Sequence, residues 1–253
     1  MTGVQTCALP IFADNFSLLT PVLLTFAPVY SLARHEIGKD RCGSGDGAIL
    51  ADAAQAVHDF GIATADLFQG LTEDQVEQLA CKYAAPSVGT PQKWKDACKG
   101  HTAVTFAPDS LDLLFDCIAS GYAVPYAHGY VTSGKPNANG ISDLGSSGAH
   151  CRCFTGLFID VNGITQLVSS ESWGRFPAGQ PLDSDQTGPV EDIPCLTLRY
   201  ANGQTKVLAP GDVGVIAKRW WEQINSSGEA WAVGPPRYEA ESVADVTKKG
   251  SVA

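Results

Sequence analysis

The chain has 253 residues, of which 44% are hydrophobic and 17% are charged, and its formal net charge is -10. This length and composition are ample for a packed core, while the acidic surplus argues against a nucleic-acid surface, which needs clustered Lys and Arg. The sequence has no run of about 18 apolar residues, so neither a membrane nor a nucleic acid is expected as a partner, and the compartment stays open.

The first segment looks foreign to the rest of the chain. Residues 1–11 read, codon for codon, as a translated sequencing-library adapter, and we expect them not to belong to the natural protein. The following segment, 16–30, is apolar but is interrupted by Pro21 and Pro28. Because proline breaks regular structure, we interpret this segment as the stub of a helix plus an extended crossing.

A glycine-rich stretch, Cys42-Gly-Ser-Gly-Asp-Gly47, precedes a segment with apolar residues at helical spacing. Asp46 is expected to cap this helix, and Gly61 to end it with left-handed backbone. Gly45 and Gly47 would let a bound chain approach the backbone closely. An ordinary loop before an ordinary helix remains the simpler alternative, and the stretch contains no P-loop lysine.

Three short helices are predicted next. Thr72 is a candidate cap for a helix through residue 80, and 92–98 and 110–118 are predicted to form two more. A strand is expected at 121–126. His128 follows it among glycine and proline neighbours, which favour a loop.

A β-hairpin is predicted from two runs rich in strand-forming residues, 148–160 and 164–174. The dipeptide Asn162-Gly163 between them is typical of a type I′ turn. Such a hairpin brings His150 beside Glu171, and a histidine held by a polar side chain is the arrangement that a general base needs. The alternative is a satisfied histidine at a strand end, next to a half-buried tryptophan.

The remaining sequence alternates loops with short elements. A surface insertion is predicted over 175–193, and a hairpin over 195–209 with a second type I′ turn at Asn202-Gly203. An amphipathic helix is expected over 214–224, its tryptophans in the core. The chain would then end in a strand at 229–233 and a frayed tail at 236–253.

The predicted hairpin resembles that of papain-like cysteine peptidases. In that family a His-led strand, a turn and a returning strand end in Asn-Ser-Trp-Gly, whereas this chain has Glu171-Ser172-Trp173-Gly174. The glycine-rich loop also precedes the histidine strand in the family's order. Glutamate in place of asparagine would favour the imidazolium form of the histidine.

The resemblance implies roles for specific residues. It makes His150 the general base, Glu171 the group that orients its ring, and Ser172, Trp173 and Gly174 the shield around their contact. The walls of a site for a peptide or protein substrate would include Gly45, Asp46, Gly47 and His128.

The nucleophile is the part that the resemblance does not supply. In the family, the catalytic cysteine heads the first helix, upstream of the glycine-rich loop. Cys7 lies near that distance and is a weak candidate, but we expect the chain as written to lack its true nucleophile and to be inactive. Cys151 and Cys153 lie beside a histidine, an arrangement that could indicate a zinc site. Packing within the strand is the favoured interpretation, because all of these ligands would lie on one strand. No metal or organic cofactor is expected.

The resemblance also implies an α+β, two-lobed papain-like fold. A single domain would span 12–235, with a helical left lobe at about 12–117, an antiparallel right lobe at about 118–235 and a cleft between them. The implied activity is thiol-dependent hydrolysis of peptide bonds. Two alternatives remain: a non-catalytic virion or other binding protein of the same fold, with phage-like relatives, and a Cys-His amidase or cell-wall hydrolase.

Overall fold

The computed structural model describes residues 24–39, 47–132, 136–170, 197–208 and 212–234, with residues 73, 130–132 and 146–150 by their backbone alone. Within these ranges the chain forms two compact units. One comprises the described residues up to 106 together with 231–234, and the other comprises those from 107 to 230. Both helices and largely antiparallel strands are present, so the predicted α+β class is confirmed.

The first unit is mainly helical. Its elements, in chain order, are β1 (Leu24–Thr25), α1 (Ala27–Leu32), a π-helical segment (Ala33–Ile37), α2 (Leu50–Phe60), β2 (Ala63–Thr64), a 3-10 turn (Ala65–Phe68), α3 (Glu73–Ala84), α4 (Gln92–Cys98) and β3 (Val104–Phe106). Trp94 of α4 is fully buried, edge-on to Phe68 and Tyr83 at centroid distances of 5.1 and 4.9 Å. These rings form one core of this unit.

Helix α2 follows the glycine-rich stretch, but it starts later than predicted. Its N-cap by backbone is Ile49, whose side chain makes no capping bond. The expected cap at Asp46 lies outside the described residues and stays a prediction. The buried face carries Ala54, Ala56 and Val57. The predicted end is confirmed, because Gly61 is the C-cap and has a φ of 85°.

Helix α3 begins with the cap that the sequence predicts. The Thr72 hydroxyl accepts a hydrogen bond from the Gln75 backbone N–H at 3.3 Å, and the Gln75 side chain accepts one from the Thr72 N–H at 2.8 Å. This reciprocal pair is a capping box, which satisfies two amide groups that the helix itself leaves open.

We expect Thr72→Ala to lower the free energy of unfolding by about 1 kcal/mol, because one of these amides loses its acceptor. Thr72→Ser keeps the hydroxyl and serves as the control. Urea denaturation of the two variants measures the difference, and an equal loss in both would contradict the capping role.

The second unit carries the large sheet. Its elements are α5 (Leu111–Ala119), β4 (Val124–Thr132), β5 (Ile141–Ser142), β6 (Leu144–Ile159), β7 (Thr165–Ser170), β8 (Thr197–Arg199), β9 (Thr205–Val207), β10 (Asp212–Val215), α6 (Ala217–Ser227) and β11 (Glu229–Ala230). Six strands pair in the order β11-β4-β6-β7-β10-β5, and every pair is antiparallel except β10 with β5. Strands β8 and β9 form a separate hairpin, and in the first unit β3 pairs with β12 (Ala232–Gly234).

The central hairpin β6–β7 is confirmed, but its turn is not type I′. A type I′ turn needs positive φ at both central residues, yet Lys39 is the one non-glycine residue with positive φ in the described ranges. Instead, the Gly163 N–H donates to the Asp160 carbonyl at 3.0 Å, and Gly163 has a φ of 78°. This is a turn closed by a glycine bulge, and Gly203 repeats it in the β8–β9 hairpin.

The side chain of Gln166 ties this turn to helix α6. Its amide nitrogen donates to the Asp160 carboxylate at 2.9 Å, and its oxygen accepts from the Ala217 N–H at 2.8 Å. Desolvation alone would raise the pKa of Asp160, but hydrogen bonds from Gln166 and from the amides of Ile164 and Asn162 outweigh it and lower that pKa. The start of α6 is thereby fixed to the sheet.

The last third of the chain differs in detail from the prediction. Residues 214 and 215, predicted as helix, belong to strand β10, and α6 starts at Ala217. The predicted closing strand is divided into β11 and β12, which pair with different partners. Trp220 and Trp221 are buried, as expected. The predicted insertion at 175–193 and tail at 236–253 lie outside the described residues.

Among the described residues, no helix is both long and apolar enough to cross a bilayer.

Candidate functional site

The backbone gives the candidate base a distinctive setting. His150 lies on β6, directly opposite His128 of β4, and the next pair along is Tyr130 with Ser147. One residue of β4 therefore faces two residues of β6, which places a β-bulge immediately before His150. Bulges change the direction of a strand and occur often beside active sites.

The returning strand ends where the predicted orienting residue begins. The last described pair between β6 and β7 is Cys153 with Ser170, and Glu171 is the next residue. Glu171, Ser172, Trp173 and Gly174 lie outside the described residues. The contact between the imidazole of His150 and the carboxylate of Glu171 stays a prediction.

His128 lies within strand β4, so its predicted place in a loop is wrong. Its side chain is only 4% exposed and lies 4.6 Å from the Trp220 ring, between centroids. Burial lowers the pKa of His128 from 6.5 to about 4, and the nearby charge of Arg152 acts in the same direction. The ring is therefore neutral at pH 7. Its role in a substrate wall stays a prediction.

Arg152 is a feature that the sequence reasoning missed. The side chain is fully buried, and its guanidinium carbon lies 5.3 Å from the centre of the Trp220 ring. Arginine is rarely buried unless it is paired or stacked, and a cation over an indole is one such arrangement. Successive side chains of a strand point to opposite faces of the sheet, so Arg152 lies on the face opposite to Cys151 and Cys153. On that face its side chain is buried against Trp220 of α6.

A stacked aromatic group fixes the two strands that carry these residues. Tyr126 of β4 lies flat against Phe154 of β6, with centroids 3.9 Å apart and planes 13° apart. The Tyr126 hydroxyl shares a hydrogen bond of 2.6 Å with the hydroxyl of Ser169 on β7. Strands β4, β6 and β7 are thus held together within four residues of His150 along β6, on a rigid scaffold of the kind that holds reactive groups in place.

Asp212 is a second residue that the sequence reasoning missed. It lies opposite Ser170 across the β10–β7 pair, at the end of β7 from which Glu171 continues. Desolvation raises the pKa of its carboxyl group, against the opposing effects of a hydrogen bond with Ser170 and the charge of Lys206. Asp212 follows Pro210 and Gly211, two residues that are typical of a loop. The sequence pattern therefore did not indicate that Asp212 lies on a strand.

The glycine-rich stretch is described only at its end. Gly47 is exposed, and a Cβ added there would meet no atom of the described residues within 4 Å. Gly47 is therefore open to approach, although the fold itself does not demand a glycine there. Cys7, Gly45 and Asp46 lie outside the described residues, so their predicted roles stay predictions.

The described cysteines differ in their fitness as nucleophiles. Burial raises the pKa of the Cys98 thiol to about 11 and that of the Cys117 thiol to about 12. Because the thiolate is the reactive form, neither is a nucleophile at neutral pH. Cys151 is partly exposed and Cys153 is buried. No cluster of three or more metal-ligating side chains occurs in the described part of the chain.

Comparison with solved structures returns cysteine proteases. Xylellain from Xylella fastidiosa is 12% identical, with 88% of this chain and 73% of that one covered and a TM-score of 0.49. The proform of Amb a 11, a ragweed pollen allergen, is 14% identical, with 93% and 62% covered and a TM-score of 0.47. Bromelain from Ananas comosus is 11% identical, with 92% and 94% covered and a TM-score of 0.42.

No family model matches the sequence, and no curated protein matches it. All three are proteases by name. At identities of 11 to 14% and TM-scores below 0.5, this likeness does not establish an activity or a substrate.

Proposed function

We propose that this chain is a cysteine peptidase-like protein of the papain type and that His150 is its general base for thiol-dependent hydrolysis of peptide bonds, a reaction that also needs a nucleophilic cysteine. The observation that supports this most is the β-bulge directly before His150, in a sheet whose next strand ends one residue before Glu171-Ser172-Trp173-Gly174. A bulge changes the direction of a strand, and this one lies next to His150, the residue that the sequence resemblance identifies as the general base.

The chemistry assigns His150 two proton transfers. In the first, its imidazole takes the proton of the cysteine thiol, and the thiolate attacks the carbonyl carbon of the peptide bond. In the second, the imidazolium gives that proton to the departing amine, and water then releases the acyl group from the sulfur. The carboxylate of Glu171 would hold the ring and stabilise its charged form.

The nucleophile in this proposal is a cysteine with a reactive thiolate. The raised thiol pKa values exclude Cys98 and Cys117 from this role. Cys7 remains the weak candidate from the sequence. Identification of the labelled cysteine is therefore part of the test.

The test is covalent labelling of the intact natural chain with a thiol-reactive probe at pH 7, with the modified residue located by mass spectrometry. We expect one cysteine to react rapidly, and its rate to fall at least about a hundredfold in His150→Ala, because the base no longer generates the thiolate. His58→Ala is the matched control. That imidazole is 53% exposed on α2 and is bound to Asp59 at 2.9 Å, so its loss should leave the rate unchanged.

Two outcomes would count against the proposal. If no cysteine reacts faster than a free thiol, the chain is better explained as a non-catalytic binding protein with the same fold. If one cysteine reacts rapidly but equally in wild type and His150→Ala, His150 is not its base.

A further inference from the structure

A hydrogen bond between two buried hydroxyl groups crosses the strand that carries the candidate base. It joins the hydroxyl of Tyr126 on β4 to that of Ser169 on β7 at 2.6 Å, and we call it the Tyr126–Ser169 bridge. Strands β4 and β7 are not neighbours in the sheet, because β6 lies between them. The Tyr126 side chain therefore reaches over β6, and its ring lies flat against Phe154 of that strand, with centroids 3.9 Å apart.

The bridge lies at one end of a regularly paired segment of β6. From His150 to Phe154 this strand pairs with β4 residue by residue, without a shift. The pairing becomes irregular beyond both ends. The register with β4 shifts between the pairs of His128 and Tyr130, and the register with β7 shifts between Phe154 and Gly156. Because strands bend at such irregularities, the ladder alone defines the direction of this segment less strictly than a continuous ladder would.

The register also brings the bridge close to His150. Tyr126 is two residues from His128 on β4, and His128 pairs with His150 by backbone register. Residues two apart in a strand lie on the same face, and the rings of Tyr126 and His128 are stacked at 5.6 Å between centroids. The ring that the bridge fixes is therefore next, on its face of β4, to the residue that faces the candidate base.

The bridge defines a position more than it adds stability. Tyr126 and Ser169 are both fully buried. Their hydroxyls bond to water in the unfolded chain, so the net contribution of the bond to the free energy of unfolding is small. A buried polar contact does, however, specify one arrangement of the groups around it. An apolar pair would fill the same layer without fixing the distance between β4 and β7.

We propose that Tyr126 and Ser169 are positioning residues for His150. Their hydrogen bond holds the β6 segment that starts at His150 in one orientation, and so keeps the imidazole in reach of the thiol proton. This inference rests on the proposed function, because it assigns both residues a part in the same reaction. Without the bridge the base would occupy several positions. The thiol would then keep its proton to a higher pH, because a nearby imidazolium lowers the pKa of a thiol.

The test measures how fast iodoacetamide labels the reactive cysteine of the intact natural chain at pH values from 5 to 9. Ser169→Ala and Tyr126→Phe each remove one hydroxyl of the bridge. We expect each to lower the rate at pH 7 about tenfold and to raise the midpoint of the pH profile by about one pH unit, because small displacements of a reacting group have effects of at least this order. The double variant should be no slower than the slower single variant, since all three lack the same bond. A merely structural role would lower the free energy of unfolding but leave the midpoint of the folded chain unchanged.

Tyr200→Phe is the matched control for the loss of a hydroxyl. The Tyr200 ring lies edge-on to Phe158, at 6.1 Å between centroids, toward the other end of β6. Its variant should keep the wild-type rate and midpoint. Urea unfolding shows whether Tyr126→Phe folds, and if it does not, Ser169→Ala decides, because that variant removes one small hydroxyl and no ring.

The variant His150→Ala, measured in the same series, separates two failures. If the wild-type rate does not depend on His150, the proposed function is wrong and this inference is wrong with it. If the rate depends on His150 but Ser169→Ala keeps the wild-type midpoint, this inference alone is overturned. Losses that add up in the double variant would overturn it too, because the two hydroxyls would then act separately.

Discussion

Trp220→Ala is expected to lower the free energy of unfolding by about 3–5 kcal/mol, which is a large share of the stability of a typical protein. The indole is fully buried and contacts the rings of His128 and Tyr126, at 4.6 and 5.8 Å between centroids. Truncation leaves a cavity beneath α6 and also removes the ring over which the Arg152 guanidinium lies. Both losses act on the same helix–sheet contact.

Urea denaturation followed by circular dichroism measures this change, with Trp220→Phe as the control. Phenylalanine retains an aromatic face for Arg152. It also removes an indole N–H that has no hydrogen-bond acceptor among the described residues, so it should cost much less than alanine. A loss below about 1 kcal/mol in Trp220→Ala would show that this ring does not hold α6 to the sheet.

The features that the sequence predicted correctly are set by neighbouring residues. The capping box of Thr72 needs only Gln75, three positions along, and the end of α2 needs only the positive φ that Gly61 adopts. The β6–β7 hairpin follows from two strand-forming runs and the glycine between them. Such signals survive without knowledge of the tertiary contacts.

The errors occurred where distant parts of the chain decide the structure. Gly214 and Val215 resembled the start of the amphipathic helix, but pairing with β7 and β5 makes them strand. His128 sat among glycine and proline neighbours, yet β6 and β11 pair with β4 and make it a strand. Periodicity cannot reveal a partner strand that lies far along the sequence.

The candidate site was predicted in its order but not in its surroundings. The histidine strand and its return were visible in the sequence, whereas the bulge before His150 depends on the register with β4. The burial of Arg152 could not be predicted from its charge. Arg152, Cys153 and Phe154 are consecutive and all buried, so both faces of the sheet are covered there, and a strand pattern alone does not show that.

Gly61→Ala is expected to lower the free energy of unfolding by about 3 kcal/mol, through two separate effects. Gly61 has a φ of 85°, a conformation that is strained for any residue with a Cβ. An added Cβ would also overlap the carbonyl oxygen of Cys98 and lie 2.8 Å from that of His101. These are backbone atoms and cannot rotate away, so the chain after α2 has to shift.

Gly70 separates the two effects, because it has nearly the same φ of 87°, but an added Cβ there would have no atom of the described part of the chain within 4 Å. Gly70→Ala should therefore cost only the conformational strain, about 1 kcal/mol. Thermal or urea unfolding of both variants gives the comparison. A loss in Gly61→Ala no larger than that in Gly70→Ala would mean that the close approach of α2 to the segment after α4 is not tight in solution. A clear excess would show that Gly61 is required by packing as well as by its backbone angle.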